Sequence, residues 1–276
     1  MNATAAVAAL DARATRQPTP AGAGAMVWRA WGEGRPLVLL HGAAGSWTHW
    51  LRNIPALAGR FRVLAPDLPG FGDSDTPPEP HTADLLAGLV SDGLDRVAPP
   101  PAPLDLAGFS MGGIIAGLVA ARQGARVRTL VLIGPNGMAL RHATPALRRG
   151  RPGLTPDEIR ETHRENLRIL MLADPAAADD LAVHLHMENV RRARFTSGGI
   201  PESDALLRAL PAVSARIAGV WGERDAFAAP YLDDRRQTLA RFQPDLEFCI
   251  IEGAGHWVVY EAAERVNAVL LALLDR

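Results

Sequence analysis

A serine set between two glycines, in Gly108-Phe109-Ser110-Met111-Gly112, is the residue of this chain best placed to act as a nucleophile. An apolar run ends at Phe109 and a helix-periodic run opens at Met111, so the serine falls on a strand-to-helix turn. A turn that sharp strains the serine backbone, and side chains at Gly108 or Gly112 would collide with the neighbouring strand and helix. The hydroxyl then stands above the carboxyl ends of the strands, where ligands bind in open α/β sheets. The plainer alternative is a tight turn with a spectator serine. A hydroxyl alone is a poor nucleophile and needs an adjacent base. Of the eight histidines, His256 in Gly253-Ala254-Gly255-His256-Trp257 is the candidate. Its small-residue loop joins the last strand to the last helix at the same sheet edge.

The base in turn needs a carboxylate to fix its tautomer and stabilise the imidazolium. Trp221-Gly222-Glu223-Arg224-Asp225 closes a strand and carries two acids. Asp225, further past the strand end, is the candidate, and Glu223 reads as a loop charge beside Arg224. Acyl transfer also requires two donors aimed at the developing oxyanion. The Met111 amide, at the start of the helix after Ser110, is one. The Ala43 amide in His41-Gly42-Ala43-Ala44-Gly45 is the other, with Ala44 the neighbour most easily confused with it; His41 reads as a structural support for that loop. His142, His163, His184 and His186 lie in a charged helical stretch and read as solvated or packed. His184 and His186 are two apart, on different helix faces, which argues against a metal pair. With no H-E-x-x-H and no paired C-x-x-C, neither a metal nor a cofactor is expected.

These residues need a scaffold, and short β-rich runs alternate with helix-periodic ones as in a mostly parallel sheet covered by helices. Strands are expected over Met26–Trp31, Pro36–His41, Phe61–Ala65, Leu104–Phe109, Val127–Ile133, Ile217–Trp221 and Leu246–Ile251. Leu37–Leu40 and Leu130–Ile133 are continuously apolar, as strands buried on both faces must be. Helices are expected over His81–Val97, Met111–Gln123, Tyr231–Arg241 and Trp257–Leu274. From Met138 to about Pro211 the alternation stops and only charged helical patterns remain. Because alternation resumes afterwards, this stretch reads as an insertion rather than a separate domain.

Composition bounds the function. Hydrophobic residues make up 48% and charged residues 21%, and the net charge is −1, so no global field draws the chain to nucleic acid or an anionic membrane. The absence of any lysine excludes Schiff-base chemistry through one. The single cysteine, Cys249, excludes an intrachain disulfide and reads as a buried, inert strand residue. No apolar stretch reaches membrane-spanning length, and the amino-terminal segment lacks the pattern of a signal peptide, so a cytoplasmic location is expected. A homo-oligomer is left open.

Taken together, His41-Gly42, the run Asp67–Asp75, the Gly108–Gly112 turn, Gly222–Asp225 and Gly255-His256 resemble the α/β-hydrolase superfamily over essentially the whole chain. The order Ser110, Asp225, His256 is the one expected there. The resemblance implies an α/β-hydrolase fold: a core over residues 1–137 and 211–276, and a helical cap over 138–210 that covers the pocket. It implies that Asp67–Asp75 shapes a loop near the site. A serine at the turn separates the chain from haloalkane dehalogenases and soluble epoxide hydrolases, which carry aspartate. Within the superfamily the chain is most similar to bacterial hydrolases that cleave C–C bonds in meta-cleavage products, on the strength of Gly134–Gly137, Leu167–Pro175, Met187–Val190 and Gly255-His256-Trp257. That likeness implies substrate contacts for Trp257, for Phe109 (where asparagine is usual) and for His186 (where an arginine holds a substrate carboxylate).

The expectation is a serine hydrolase with a Ser110–Asp225–His256 triad acting on a small, largely apolar carbonyl compound, a carboxylic ester before a 2-hydroxy-6-oxo-dienoate. The contrasting reading is a non-catalytic ligand-binding protein on the same fold.

Overall fold

The computed structural model describes residues 3–275. Its centre is one eight-stranded sheet, of order β1-β2-β4-β3-β5-β6-β7-β8 among the described residues. The strands are β1 Thr15–Ala21, β2 Gly24–Trp31, β3 Pro36–Leu40, β4 Arg62–Pro66, β5 Leu104–Phe109, β6 Val127–Ile133, β7 Arg216–Gly222 and β8 Glu247–Ile251. Pairing is antiparallel between β1 and β2 and between β2 and β4, and parallel from there to β8. The helices are α1 Ala3–Asp11, α2 Ile54–Leu57, α3 Ala83–Val97, α4 Met111–Gln123, α5 Pro156–Leu170, α6 Asp180–Arg192, α7 Ala205–Ala209, α8 Leu232–Ala240, α9 Val258–Glu261 and α10 Ala263–Leu274.

The fully apolar strands sit where their composition requires. Leu37–Leu40 and Leu130–Ile133 have no exposed surface, because apolar layers cover both faces of the sheet. On one face pack Leu86, Val90 and Leu94 of α3 with Ile114 and Ile115 of α4; on the other, Val258, Val266, Leu270 and Leu273 pack beneath Leu37, Leu39 and Val131. Central strands thus hold their carboxyl ends at fixed spacing, the condition for placing Ser110, Asp225 and His256 together.

The structure departs from the sequence reading at several points. Strand β1 was hidden by Pro18 and Pro20 and by its polar residues; as an edge strand, exposed along most of its length, it tolerates both prolines. The last helical run is two helices, since the chain turns at Ala262, between α9 and α10. Cys249 is half-buried rather than buried, because β8 is the other edge of the sheet and leaves Ile250 half exposed. Burial still pushes its thiol up, so it stays protonated.

Between β6 and β7 the described elements are all helical. Helix α5 opens on a Thr155–Glu158 capping box, and α6 on Asp179, whose carboxylate accepts from the Ala182 amide. The two helices meet through His163 and His186, whose rings lie 5.1 Å apart, edge to face. Burial and the neighbouring His163 hold the His186 imidazole down at about 4, against an ordinary 6.5.

Two outcomes test this architecture. A Cβ at Gly112 would fall on the carbonyls of Leu40 and His41, which the sheet cannot move, whereas one at Gly88 in α3 meets nothing within 4 Å. Gly112→Ala should therefore cost about 3 kcal/mol or more in urea unfolding, while Gly88→Ala should gain up to about 1 kcal/mol. The His186 shift has a defined sign. Its folded pKa lies below its unfolded one, so its contribution is complete above pH 6.5 and is lost as pH falls towards 4. Thermal melts from pH 7 to 5 should show Tm falling with acidity, and His186→Leu should flatten part of that fall; parallel curves would contradict the assignment.

Candidate functional site

Strand β5 delivers Ser110 at φ 54°, ψ −122°, a conformation that L-residues rarely hold. Two hydrogen bonds fix the turn: the Ser110 amide donates to the Ile133 carbonyl of β6 (2.8 Å), and the Ser110 carbonyl accepts from Gly113 (2.8 Å). The glycines serve close approach. A Cβ at Gly108 would strike the Gly112 carbonyl, one at Gly112 would strike β3, and one at Gly42 would sit 3.1 Å from the Ser110 Cβ. The strained turn therefore exists because β3, β5 and α4 pack backbone to backbone around it.

The loops after β7 and β8 bring in the other two residues. His256 Nε2 lies 3.0 Å from Ser110 Oγ, and His256 Nδ1 lies 2.7 Å from Asp225 Oδ2. The second oxygen of Asp225 accepts from the amides of Phe227 (2.9 Å) and Ala228 (3.2 Å). Asp225 and His256 are buried. With its carboxylate held by two amides, Asp225 takes the Nδ1–H of the imidazole and leaves the Nε2 lone pair facing the serine hydroxyl. The sequence-predicted trio therefore converges.

The loops are themselves held by two acids: Glu223, which the sequence reading took for a loop charge, and Glu261, which it did not single out. Glu223 accepts from the Gly253 amide (2.8 Å). Glu261 accepts from the Gly255 amide (2.6 Å) and, with its other oxygen, from the Asp174 amide of the helical segment (2.6 Å). The Trp257 amide donates to the Met171 carbonyl (2.7 Å), and a Cβ at Gly255 would press on the Ala173 amide at 2.7 Å. In the sequence Glu223 reads as a loop charge and Glu261 carries no signal; only the fold shows what they hold.

Opposite the serine, the loop after β3 is pinned from below. His41 Nε2 accepts from the Leu68 amide (2.8 Å) and its Nδ1 donates to the Gly42 carbonyl (2.8 Å). Asp67 accepts from the Trp47 amide and from buried Arg29, which also meets Asp11 and Asp73. These contacts make Asp67–Asp75 the floor of the loop carrying Ala43. Ala44 takes φ 45° as the chain turns away. Among the described residues, nothing accepts from the Ala43 or Met111 amides.

Of the residues expected to meet a substrate, Phe109 and Trp257 are buried. The Phe109 ring lies between those of His49 (5.5 Å) and His256 (5.1 Å). Trp257 stacks on Tyr260 at 4.3 Å and donates from Nε1 to the His49 carbonyl (3.2 Å). His186 is half-buried against His163. One residue was missed: His49, buried between Phe109 and Trp257, carries nothing in its sequence context to separate it from seven other histidines.

Cavities elsewhere leave this trio aside. One of about 570 Å³ lies between α1, α6 and the carboxylates around Arg29, and another of about 270 Å³ lies beside Arg235; neither is lined by Ser110, Asp225 or His256. Among the described residues no three His, Cys, Asp or Glu side chains are grouped so as to hold a metal ion. No described helix is long and apolar enough to cross a membrane.

Residues 37–269 match the model of the alpha/beta hydrolase family. The chain is 33% identical over 258 residues to the dihydrolipoyllysine-residue acetyltransferase component of the acetoin cleaving system of Pseudomonas putida, with 88% of this chain aligned to 64% of that protein. It thus spans under two thirds of that relative. It is 28% identical over 259 residues to 2-hydroxy-6-oxo-6-phenylhexa-2,4-dienoate hydrolase of Burkholderia cepacia, covering 88% of each chain. In three dimensions it resembles carboxylesterase CesB of Bacillus subtilis at a TM-score of 0.78 and 20% identity, covering 99% of this chain and 95% of that one. The chain belongs to the alpha/beta hydrolase family.

Proposed function

We propose that the protein is a serine hydrolase of a small carbonyl compound, most readily a carboxylic ester. The observation that carries this is the unbroken chain from Asp225 through His256 to Ser110, at 2.7 and 3.0 Å. As Ser110 Oγ attacks the substrate carbonyl, its proton passes to His256 Nε2. Asp225 keeps the other ring nitrogen protonated and faces the positive charge that forms. The Met111 and Ala43 amides, without acceptors of their own, receive the negative oxygen of the tetrahedral intermediate. His256 then protonates the leaving alcohol. A water activated by the same imidazole hydrolyses the acyl-enzyme. No step calls on a metal or cofactor.

Residues 138–210 act as the cap over this site in the proposed reading. Its support is the set of bonds that cross from the helical segment to the site loops: Met171 to Trp257, Asp174 to Glu261, and Asn189 to Ser46 (2.7 Å) and Thr48 (3.1 Å). Cleavage of a C–C bond is the second reading, favoured by relatives such as the dienoate hydrolase of Burkholderia cepacia. There the substrate must first ketonise so that a stabilised carbanion can leave, and His256 would move that proton.

A fluorophosphonate should label Ser110 and abolish turnover of a short-chain aryl ester. Ser110→Ala should lower kcat by about 10⁶-fold and Asp225→Asn by about 10⁴-fold, each with little change in thermal stability. Turnover that survives Ser110→Ala would end the serine reading. Supplied with an aryl ester and a 2-hydroxy-6-oxo-dienoate, one preparation should favour the ester; faster turnover of the dienoate would transfer the assignment to C–C hydrolysis.

A further inference from the structure

Two histidines beside the triad are held in the uncharged state by their hydrogen bonds. His49 Nδ1 accepts from the Gly42 amide (3.3 Å), just as His41 Nε2 accepts from Leu68. A ring nitrogen that accepts a backbone N–H carries no proton itself, so both rings are neutral. Burial pushes both imidazoles down, His49 the further, with His41, His186 and His256 adding to it. The neutral ring of His49 therefore keeps its one proton on Nε2.

That Nε2–H is unspent. Among the described residues it meets no acceptor. Its ring stands between Phe109 and Trp257, against Gly42 and Gly45, and within electrostatic reach of both His256 and His186. Gly42, whose amide holds the ring, comes so close to the nucleophile that a Cβ there would lie 3.1 Å from the Ser110 Cβ, so the imidazole stands beside the triad.

The cations that could give the same space a positive charge are engaged elsewhere. Arg191 pairs with Glu188 (2.8 Å) and Arg192 with Asp73; the Arg194 guanidinium donates to the carbonyls of Gly72 and Ser74. Arg52 lies on the Tyr260 ring and pairs with Asp179 (2.8 Å). Where the likeness to meta-cleavage hydrolases implies an arginine, His186 faces His163, with no carboxylate paired to either ring among the described residues.

We infer that the site selects an uncharged substrate, and that His49 Nε2–H donates to a neutral oxygen on it, a ketone, ether or hydroxyl beyond the bond that is cleaved. The inference rests on the hydrolase reading above. A carboxylate brought among neutral imidazoles and buried aromatics would lose its hydration without a counter-charge, while a neutral carbonyl gains a donor that is otherwise unsatisfied.

Three 4-nitrophenyl esters of nearly equal shape test this: 5-oxohexanoate, 5-methylhexanoate and hemiglutarate, with the enzyme-free rate subtracted. In kcat/KM the oxo ester should exceed its methyl counterpart about five-fold, and the hemiglutarate should fall at least about ten-fold below the oxo ester. His49→Phe should bring the oxo-to-methyl ratio close to one, whereas His49→Gln, which can place an N–H near the same point, should restore part of it. His186→Arg should raise the hemiglutarate rate relative to the oxo ester. Circular dichroism melts identify a variant that has lost its fold, and the two ratios in the unaltered enzyme decide the matter by themselves. A wild-type oxo-to-methyl ratio near one, or hemiglutarate turnover matching the oxo ester, overturns the inference. Fluorophosphonate labelling separates the two failures: a labelled Ser110 with no preference removes this inference alone, while an unlabelled Ser110 removes the hydrolase reading with it.

Discussion

Everything near the site depends on how closely three backbones approach at Ser110. The residue is held at a positive φ, which costs of the order of 1–3 kcal/mol when the side chain is not glycine. The surrounding sheet supplies the constraint: β3 lies against α4 at Gly112, and β5 meets the same helix at Gly108. Relaxing the serine would mean moving buried strands with no exposed surface to yield. Strain at one residue is thus maintained by packing over many, and the hydroxyl stays proud of the sheet edge.

The same approach explains why the loop after β3 needs its own foundations. It must lie over Ser110 with a small residue at Gly42, and it has no regular structure of its own. Asp67 and His41 tie it to the end of β4, and buried Arg29 neutralises Asp67 from below. Removing Arg29 would leave a buried carboxylate without a counter-charge, which is the costly way to break such a pair. The acid-rich run after β4 is therefore part of the site without touching a reacting atom.

Local chemistry made some of this legible in the sequence. Strands β5 and β6 and helix α4 were bounded correctly because uninterrupted apolar runs and a glycine-flanked turn leave little choice. Ser110, Asp225 and His256 could be chosen because each follows a strand and each is of a distinctive type. Strand β1 was not legible, since edge pairing overrides what two prolines suggest. Helix α1 gave no signal above its alanine content. His49, Glu223 and Glu261 were illegible for a different reason: what matters about them is which amide lies opposite, and partners such as Gly42, Gly253 and Asp174 are set by tertiary structure alone.

Glu261 has one oxygen on the loop that carries the imidazole and the other on the segment between α5 and α6. One side chain therefore serves two parts that could otherwise diverge freely. In evolutionary terms this limits how the helical segment can be exchanged. A replacement would have to return a backbone N–H to the place of Asp174, or leave half of a carboxylate without its partner beside the His256 loop. Variation should be freer along the outer faces of α5 and α6 than in the short link between them, although that link is the more irregular and would pass for a spacer.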